Sequence, residues 1–226
     1  MARRIIDLTT PIRTDHFRWR AERKVLQSHE AGDIAQVTWI GTTVHGFTHV
    51  DSERHFSATG PTFDDMPLER YMGPAAVVDV SSVQANAPVT GEMVAEAGGH
   101  VREGDIVLMR SGWDTRASLD SEEFWTTAPY MTAEACRWLL ARKIGAIAFD
   151  FPQDYCIRDY VTDARRPAFE ENTTHIELLL KGIPMFEYLC NMMAISRPRV
   201  EFVGLPLKLP ECDGSPIRAV AVEESG

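Results

Sequence analysis

No stretch of this sequence is strongly basic, and none is both long and apolar. Lysine and arginine number 23 against 33 aspartates and glutamates, a formal charge of −10, with no basic block anywhere. A balance of that sign disfavours phosphate backbones and anionic lipid headgroups, which argues against nucleic-acid and membrane partners. No apolar run approaches the roughly 20 residues that a membrane-spanning helix needs. The opening Met-Ala-Arg-Arg-Ile-Ile-Asp lacks the apolar stretch of a secretory signal. Cys136, Cys156, Cys190 and Cys212 are widely spaced, with no Cys-x-x-Cys pair. Such spacing suits scattered reduced thiols in a cytoplasmic protein better than a disulfide framework. Internal repeats and low-complexity tracts are missing as well. No change of composition marks a boundary, so residues 1–226 are expected to form one domain.

What is present is an ordinary globular composition, 44% hydrophobic and 25% charged, with enough apolar residues for a real core. Arg4–Leu8, Asp33–Val44, Ala75–Val80, Asp105–Arg110, Ala146–Phe151, Val200–Val203 and Ile217–Val222 read as strands. Helices are expected from Thr90 to Gly98 and from Thr132 to Arg142. Helix–strand alternation in the middle and strand-rich ends predict an α/β fold with a mixed sheet. Residues 12–30 read as polar and irregular. Residues 152–173 read as a long loop, either a binding lid or a solvated excursion.

Chemistry concentrates at residues 45–56, where His45, His49 and His55 alternate with Asp51 and Glu53. Imidazoles and carboxylates at this density are the usual makings of a divalent-metal site, the alternative being a loop held by local hydrogen bonds. A straight strand would separate His45 from His49 by roughly 13 Å. That is too far for two nitrogens that must each lie about 2.1 Å from one ion. The chain must therefore bend between them, and Gly46 permits the turn. The cluster alone supplies too few ligands for two ions. His175, in the first turn of a helix expected to start at a Thr174-His175-Ile176-Glu177 capping box and run to Lys181, is one candidate to complete it. Glu187, after the apolar segment Ile183–Phe186, is another. Trp19 and Trp113 are either packed in the core or available to stack on an aryl ring.

Taken together, His45-x-x-Thr48-His49-x-Asp51-x-x-x-His55-Phe56 resembles the His-x-Gly-Thr-His-x-Asp-x-Pro-x-His signature of the cyclase-like metal-dependent hydrolases, which include bacterial kynurenine formamidase and isatin hydrolase. Asp7–Pro11, Arg110–Trp113, the spacing of His175 and Glu187, Gly204–Lys208 and Asp213–Ala219 extend the resemblance over nearly the whole chain. It implies a single α/β domain of the swivelling β/β/α type and a homo-oligomer, dimeric or tetrameric. It also implies two divalent ions per subunit, zinc or manganese. His45, His49 and Asp51 would hold the first ion; Asp51 and Glu187 would bridge to the second, which His175 also binds. His55 would donate and accept the proton, and Trp19 would contact substrate. Phe47 stands where the signature has Gly, and Glu53 where it has Pro, which makes both candidates to shape the substrate site, along with Trp113. The expected reaction is hydrolysis of an amide or formamide C–N bond by hydroxide held on the metals. Ring opening of a cyclic amide or lactone, and non-catalytic ligand binding, are the alternatives. Two divalent ions, two carboxylates and one hydroxide sum to about +1, which tolerates a small aromatic substrate bearing a carboxylate.

Overall fold

The computed structural model describes residues 3–224. Its strands are β1 (Arg3–Asp7), β2 (Ala21–Gln27), β3 (Val37–Thr42), β4 (His49–Asp51), β5 (Met72–Asp79), β6 (Pro88–Val89), β7 (Ile106–Arg110), β8 (Tyr130–Met131), β9 (Ala146–Phe149), β10 (Met185–Glu187), β11 (Arg199–Val203), β12 (Gly214–Pro216) and β13 (Val220–Glu224). Its helices are α1 (Gly91–Ala97), α2 (Glu122–Thr126), α3 (Ala133–Ala141), α4 (Ile157–Thr162) and α5 (Thr173–Glu177). None is long and apolar enough to cross a membrane.

Nine strands form one mixed sheet in the order β1-β13-β11-β5-β7-β9-β10-β4-β12. β5, β7, β9 and β10 run parallel, and each remaining neighbour pair is antiparallel. Successive residues of a strand face opposite sides, so two cores form. Ala76, Val78, Val107, Met109, Ile147, Phe149 and Met185 pack with the helices on one face. Ala75, Val77, Ile106, Leu108, Ala148, Phe186 and Phe202 fill the other. Central strands buried on both faces read as continuous apolar runs, which is why they were legible in the sequence.

Three expectations need correction. Residues 12–30 are not irregular throughout, because β2 pairs with β3 in a separate two-stranded hairpin. Its faces are almost wholly exposed, so Ala21–Gln27 shows no apolar alternation to read. Residues 152–173 are not a structureless loop either. They contain α4 and a 3-10 turn at Phe169–Glu171, held together as Arg165 pairs with Asp159 at 2.8 Å and Glu171 at 2.6 Å. Nor does the capping box at Thr174 form. α5 begins one residue earlier, and Asp154 caps it from outside by accepting from the Thr174 N–H at 2.7 Å. The chain breaks at Leu178, resumes as a 3-10 turn, and stops at Gly182, whose φ is 78°.

Candidate metal centre

β4 sits between β10 and β12, and this register builds the site. Glu187 lies opposite His49, Met185 opposite Asp51, and Gly214 on the other side of Asp51. His49, Asp51 and Glu187 therefore share one face of the sheet, at the carboxyl end of β10 beside that of β9. In open α/β sheets this is where ligand crevices form. The chain does turn between His45 and His49, through Val44–Phe47. Gly214 is required here, since a Cβ on it would lie 2.6 Å from the His45 ring.

Hydrogen bonds set the tautomers. His49 donates from Nδ1 to the Phe47 carbonyl at 2.9 Å, and His175 donates from Nδ1 to Asp154 at 2.6 Å. The first leaves the His49 Nε2 lone pair facing the cluster; the second aims His175 Nε2 at the same cluster, where it offers a lone pair once that ring gives up its second proton. His49 Nε2 lies 3.2 Å from Asp51 Oδ1 and 3.7 Å from Glu187; His175 Nε2 lies 3.7 Å from Asp51 Oδ2 and 3.5 Å from Glu187. His49 Nε2 and Asp51 Oδ2 are buried with no hydrogen-bond partner. Lone pairs and carboxylate oxygens are all acceptors, and a buried group of acceptors needs a cation. Ligand atoms about 2.1 Å from one ion at tetrahedral angles are roughly 3.4 Å apart, close to the observed spacings. The donor set thus fits a divalent metal.

His45 has both nitrogens against carboxylates, Nδ1 at 2.7 Å from Asp51 and Nε2 at 2.8 Å from Asp213. Burial opposes its charge, but these two partners raise its pKa to about 9. His175 is likewise disfavoured by burial yet raised to about 10 by Asp154 and Asp51. Against the pull of burial, the surrounding histidines hold Asp51 well below the carboxylate range. Burial and the neighbouring Asp51 push Glu187 up. The carboxylates thus draw protons onto His45 and His175. Gln153 also donates to Glu187. His55 stacks on His45 with ring centres 3.8 Å apart and points Nδ1 towards Asp213 at 3.7 Å. Burial, with the positive His45 and His175 adding to it, lowers its pKa to about 4, so His55 is neutral at pH 7 and able to accept a proton.

The cluster opens onto a cavity of about 480 Å³. His45, His49, His55, His175 and Glu187 are at its polar end, and Trp19, Phe56, Ile157, Tyr160 and Tyr188 form apolar walls. Of the residues singled out as substrate contacts, Trp19 reaches this cavity and three do not line it. Phe47 is 1% exposed and packs on Trp19 at 5.0 Å. Its φ of 60° explains why the signature places Gly there; a side chain in this left-handed region costs of order 1–3 kcal/mol. Trp113 is buried in the core and donates to the Phe124 carbonyl at 2.9 Å. Glu53 lies in a 3-10 turn beside a separate small cleft with Arg70 and Ile183.

Sequence reasoning assigned no role to Asp154, Gln153, Asp213 or His16. Asp154 and Gln153 follow β9, so their position past the carboxyl end of a parallel strand was a usable signal. Asp213 opens the Asp213–Ala219 segment of the resemblance but carried no ligand signal of its own, and the pairing of β12 with β4 is what brings it to His45. His16 accepts at Nδ1 from the Arg18 and Trp19 N–H groups and shares Nε2 with the Leu119 carbonyl, which fixes the loop that presents Trp19. Replacing Asp154 with Asn should weaken divalent-metal binding about 10- to 100-fold, because His175 loses the partner that orients it. Calorimetric titration with zinc checks this, and an unchanged affinity would remove Asp154 from the site.

An α/β sheet carrying buried histidines and carboxylates at a cavity floor is the architecture of a candidate metal centre. The comparisons narrow this to a family. The family model named Cyclase matches residues 6–153, and the chain belongs to the Cyclase family. It is 26% identical to the kynurenine formamidase of Bacillus cereus over 219 residues, covering 95% of each chain, and 26% identical to that of Bacillus anthracis over 220 residues, again covering 95% of each. Among solved structures it is similar to isatin hydrolase A from Labrenzia aggregata bound to benzyl benzoate, with a TM-score of 0.80 at 23% identity, covering 97% of this chain and 93% of that one. A potential metal-dependent hydrolase with cyclase activity matches with a TM-score of 0.74 at 23% identity over the whole of both chains. The mixed α/β fold expected from the sequence is the fold these structures share.

Proposed function

We propose that residues 1–226 form one domain that is a metal-dependent hydrolase cleaving the C–N bond of an amide or formamide, in the manner the formamidase relatives' names describe. The convergence of His49, Asp51, His175 and Glu187 at the floor of the cavity, with His49 Nε2 and Asp51 Oδ2 buried and unpartnered, carries this reading. His45, His49 and Asp51 would hold one zinc or manganese ion, and Asp51, Glu187 and His175 a second. Bound there, the ions supply Lewis acidity that makes water acidic and polarises a carbonyl. His45 would have to exchange one carboxylate contact for the metal, while Asp213 keeps its ring in place. Neutral His55, at the cavity edge, takes the proton from water and returns it to the leaving nitrogen. Trp19 and Phe56 hold an apolar or aryl part of the substrate.

The test is a substrate panel with the metal-reconstituted protein. N-formylkynurenine and other N-formyl arylamines should be hydrolysed faster than isatin or simple lactones. Preferential opening of the rings would make the protein a cyclic-amide or lactone hydrolase. Metal binding with no turnover of any panel member would instead favour a non-catalytic ligand-binding protein.

The hairpin β2–β3 supports a homodimer or homotetramer. Val25, Leu26, Ile34, Val37, Trp39 and Ile40 are exposed on and beside it, a patch that a second copy of the chain would cover. Sedimentation should show a dimer or tetramer that Leu26→Glu with Ile40→Glu converts to a monomer. A monomeric parent protein would refute the assignment.

A further inference from the structure

We infer that Arg18 is an anion-binding residue of this cavity, and that it selects substrates carrying a carboxylate distal to the bond that is cleaved. The inference rests on reading the cavity as the substrate site. It extends that reading to a residue of this chain outside the histidine cluster.

Arg18 lines the same cavity as His45, His49, His55 and His175. Its guanidinium carbon lies over Trp125, 4.2 Å from the ring centre, and within 5.4 Å of Trp19 and 5.8 Å of Tyr188. Its NH1 is buried and has no hydrogen-bond partner. Among the described residues, none of the ion pairs within 4 Å involves Arg18. The neighbouring cations behave differently: Arg13 pairs with Asp120 at 2.8 Å, and Arg20 pairs with Glu22. A half-buried guanidinium held by aromatic faces and left without a counter-charge is unusual, because desolvating a cation is costly unless it is paired. The rings contribute a cation–π attraction but leave the N–H donors of the buried NH1 unsatisfied. A planar carboxylate is the group that satisfies them best.

The placement also suits a substrate. Tyr188 stands between the two charged ends: its ring is 5.8 Å from Arg18 Cζ and 5.6 Å from the His49 imidazole. One small molecule can therefore reach both the acceptor cluster and the guanidinium, with its apolar part against Trp19. The protein's net charge of −10 offers no general attraction for anions, so a local cation would have to supply it. The backbone at this point is fixed, since His16 accepts from both the Arg18 and the Trp19 N–H groups. The arginine is thereby presented to the cavity at little further entropic cost.

The experiment compares 3-phenylpropanoate with the uncharged 3-phenylpropan-1-ol as binding probes, followed by quenching of tryptophan fluorescence in the metal-loaded protein. The parent protein should bind the carboxylate well ahead of the alcohol. In Arg18→Met this preference should collapse by about 100-fold, the scale for removing one partner of a desolvated ion pair, and Arg18→Lys should restore only part of it. In parallel, kcat/KM is measured for an N-formyl aromatic amino acid and for the corresponding N-formyl amine that lacks the carboxylate. The same collapse of preference is expected, mainly in KM. Three results overturn the inference: no preference in the parent protein, an unchanged preference in Arg18→Met, or equal weakening of both probes. The last would make Arg18 a packing residue for Trp125. Arg18-dependent carboxylate binding without turnover of any amide would uphold the anion site and reject the hydrolase reading.

Discussion

Asp51→Asn is expected to empty the metal centre and reduce turnover by at least about 1,000-fold, the order seen when a charged group that organises a catalytic site is lost. Asp51 is buried, and its two oxygens face three histidines: Oδ1 lies 2.7 Å from His45 and 3.2 Å from His49, and Oδ2 lies 3.7 Å from His175. No other carboxylate in the cluster touches all three. An amide there keeps one oxygen but replaces the other with an N–H donor, which points a proton at a lone pair or at an ion. Metal content by elemental analysis should fall from near stoichiometric to near zero after dialysis. The thermal midpoint of the variant should then no longer respond to added metal, since stabilisation by a ligand follows its binding to the native state. Full metal content in Asp51→Asn would show that the ions are held elsewhere.

His55→Ala should separate chemistry from metal binding. The ring of His55 is half-buried at the cavity, stacked on His45, and neutral because burial and the nearby positive imidazoles lower its pKa to about 4. It makes no hydrogen bond that holds His49, His175 or Glu187 in place. Removing it should lower kcat by roughly 100- to 10,000-fold, the usual range for a lost general acid–base, while metal content stays within error of the parent protein. Exogenous imidazole should recover part of the rate by occupying the space left by the side chain. Unchanged turnover would assign the proton transfer to another group, and loss of the metal would make His55 a ligand.

Much of this site was legible from residue type and spacing. The density of histidine and carboxylate at residues 45–55 named a metal-binding chemistry, and the length of an extended chain required the bend that Val44–Phe47 makes. His175 and Glu187 were identified as partners and now lie within 3.7 Å of the same groups. The aromatic candidates were harder. Trp19 and Trp113 look alike as sequence, yet one lines the cavity and the other donates its indole N–H inside the core. Phe47 was expected to shape the substrate site. It is in the core, and only its φ of 60° shows what its presence in place of Gly costs. The hairpin β2–β3 was half missed because a ribbon exposed on both faces has no apolar period.

By itself, the sequence determined the chemistry available and six of the nine strands of the main sheet, β4, β10 and β12 being too short to read, because ligand types and longer apolar runs are local properties. Tertiary structure decided the rest. β4 lies between β10 and β12, so Glu187 and Asp213, more than 130 positions away in sequence from His49, reach the same cluster. Asp154 orients His175 and caps α5 at once, across a fold rather than along a turn. Among the described residues the buried Arg18 NH1 has no hydrogen-bond partner, which is visible only when the groups around it are placed. Register and pairing arise from packing of the whole sheet, and no window of sequence contains them.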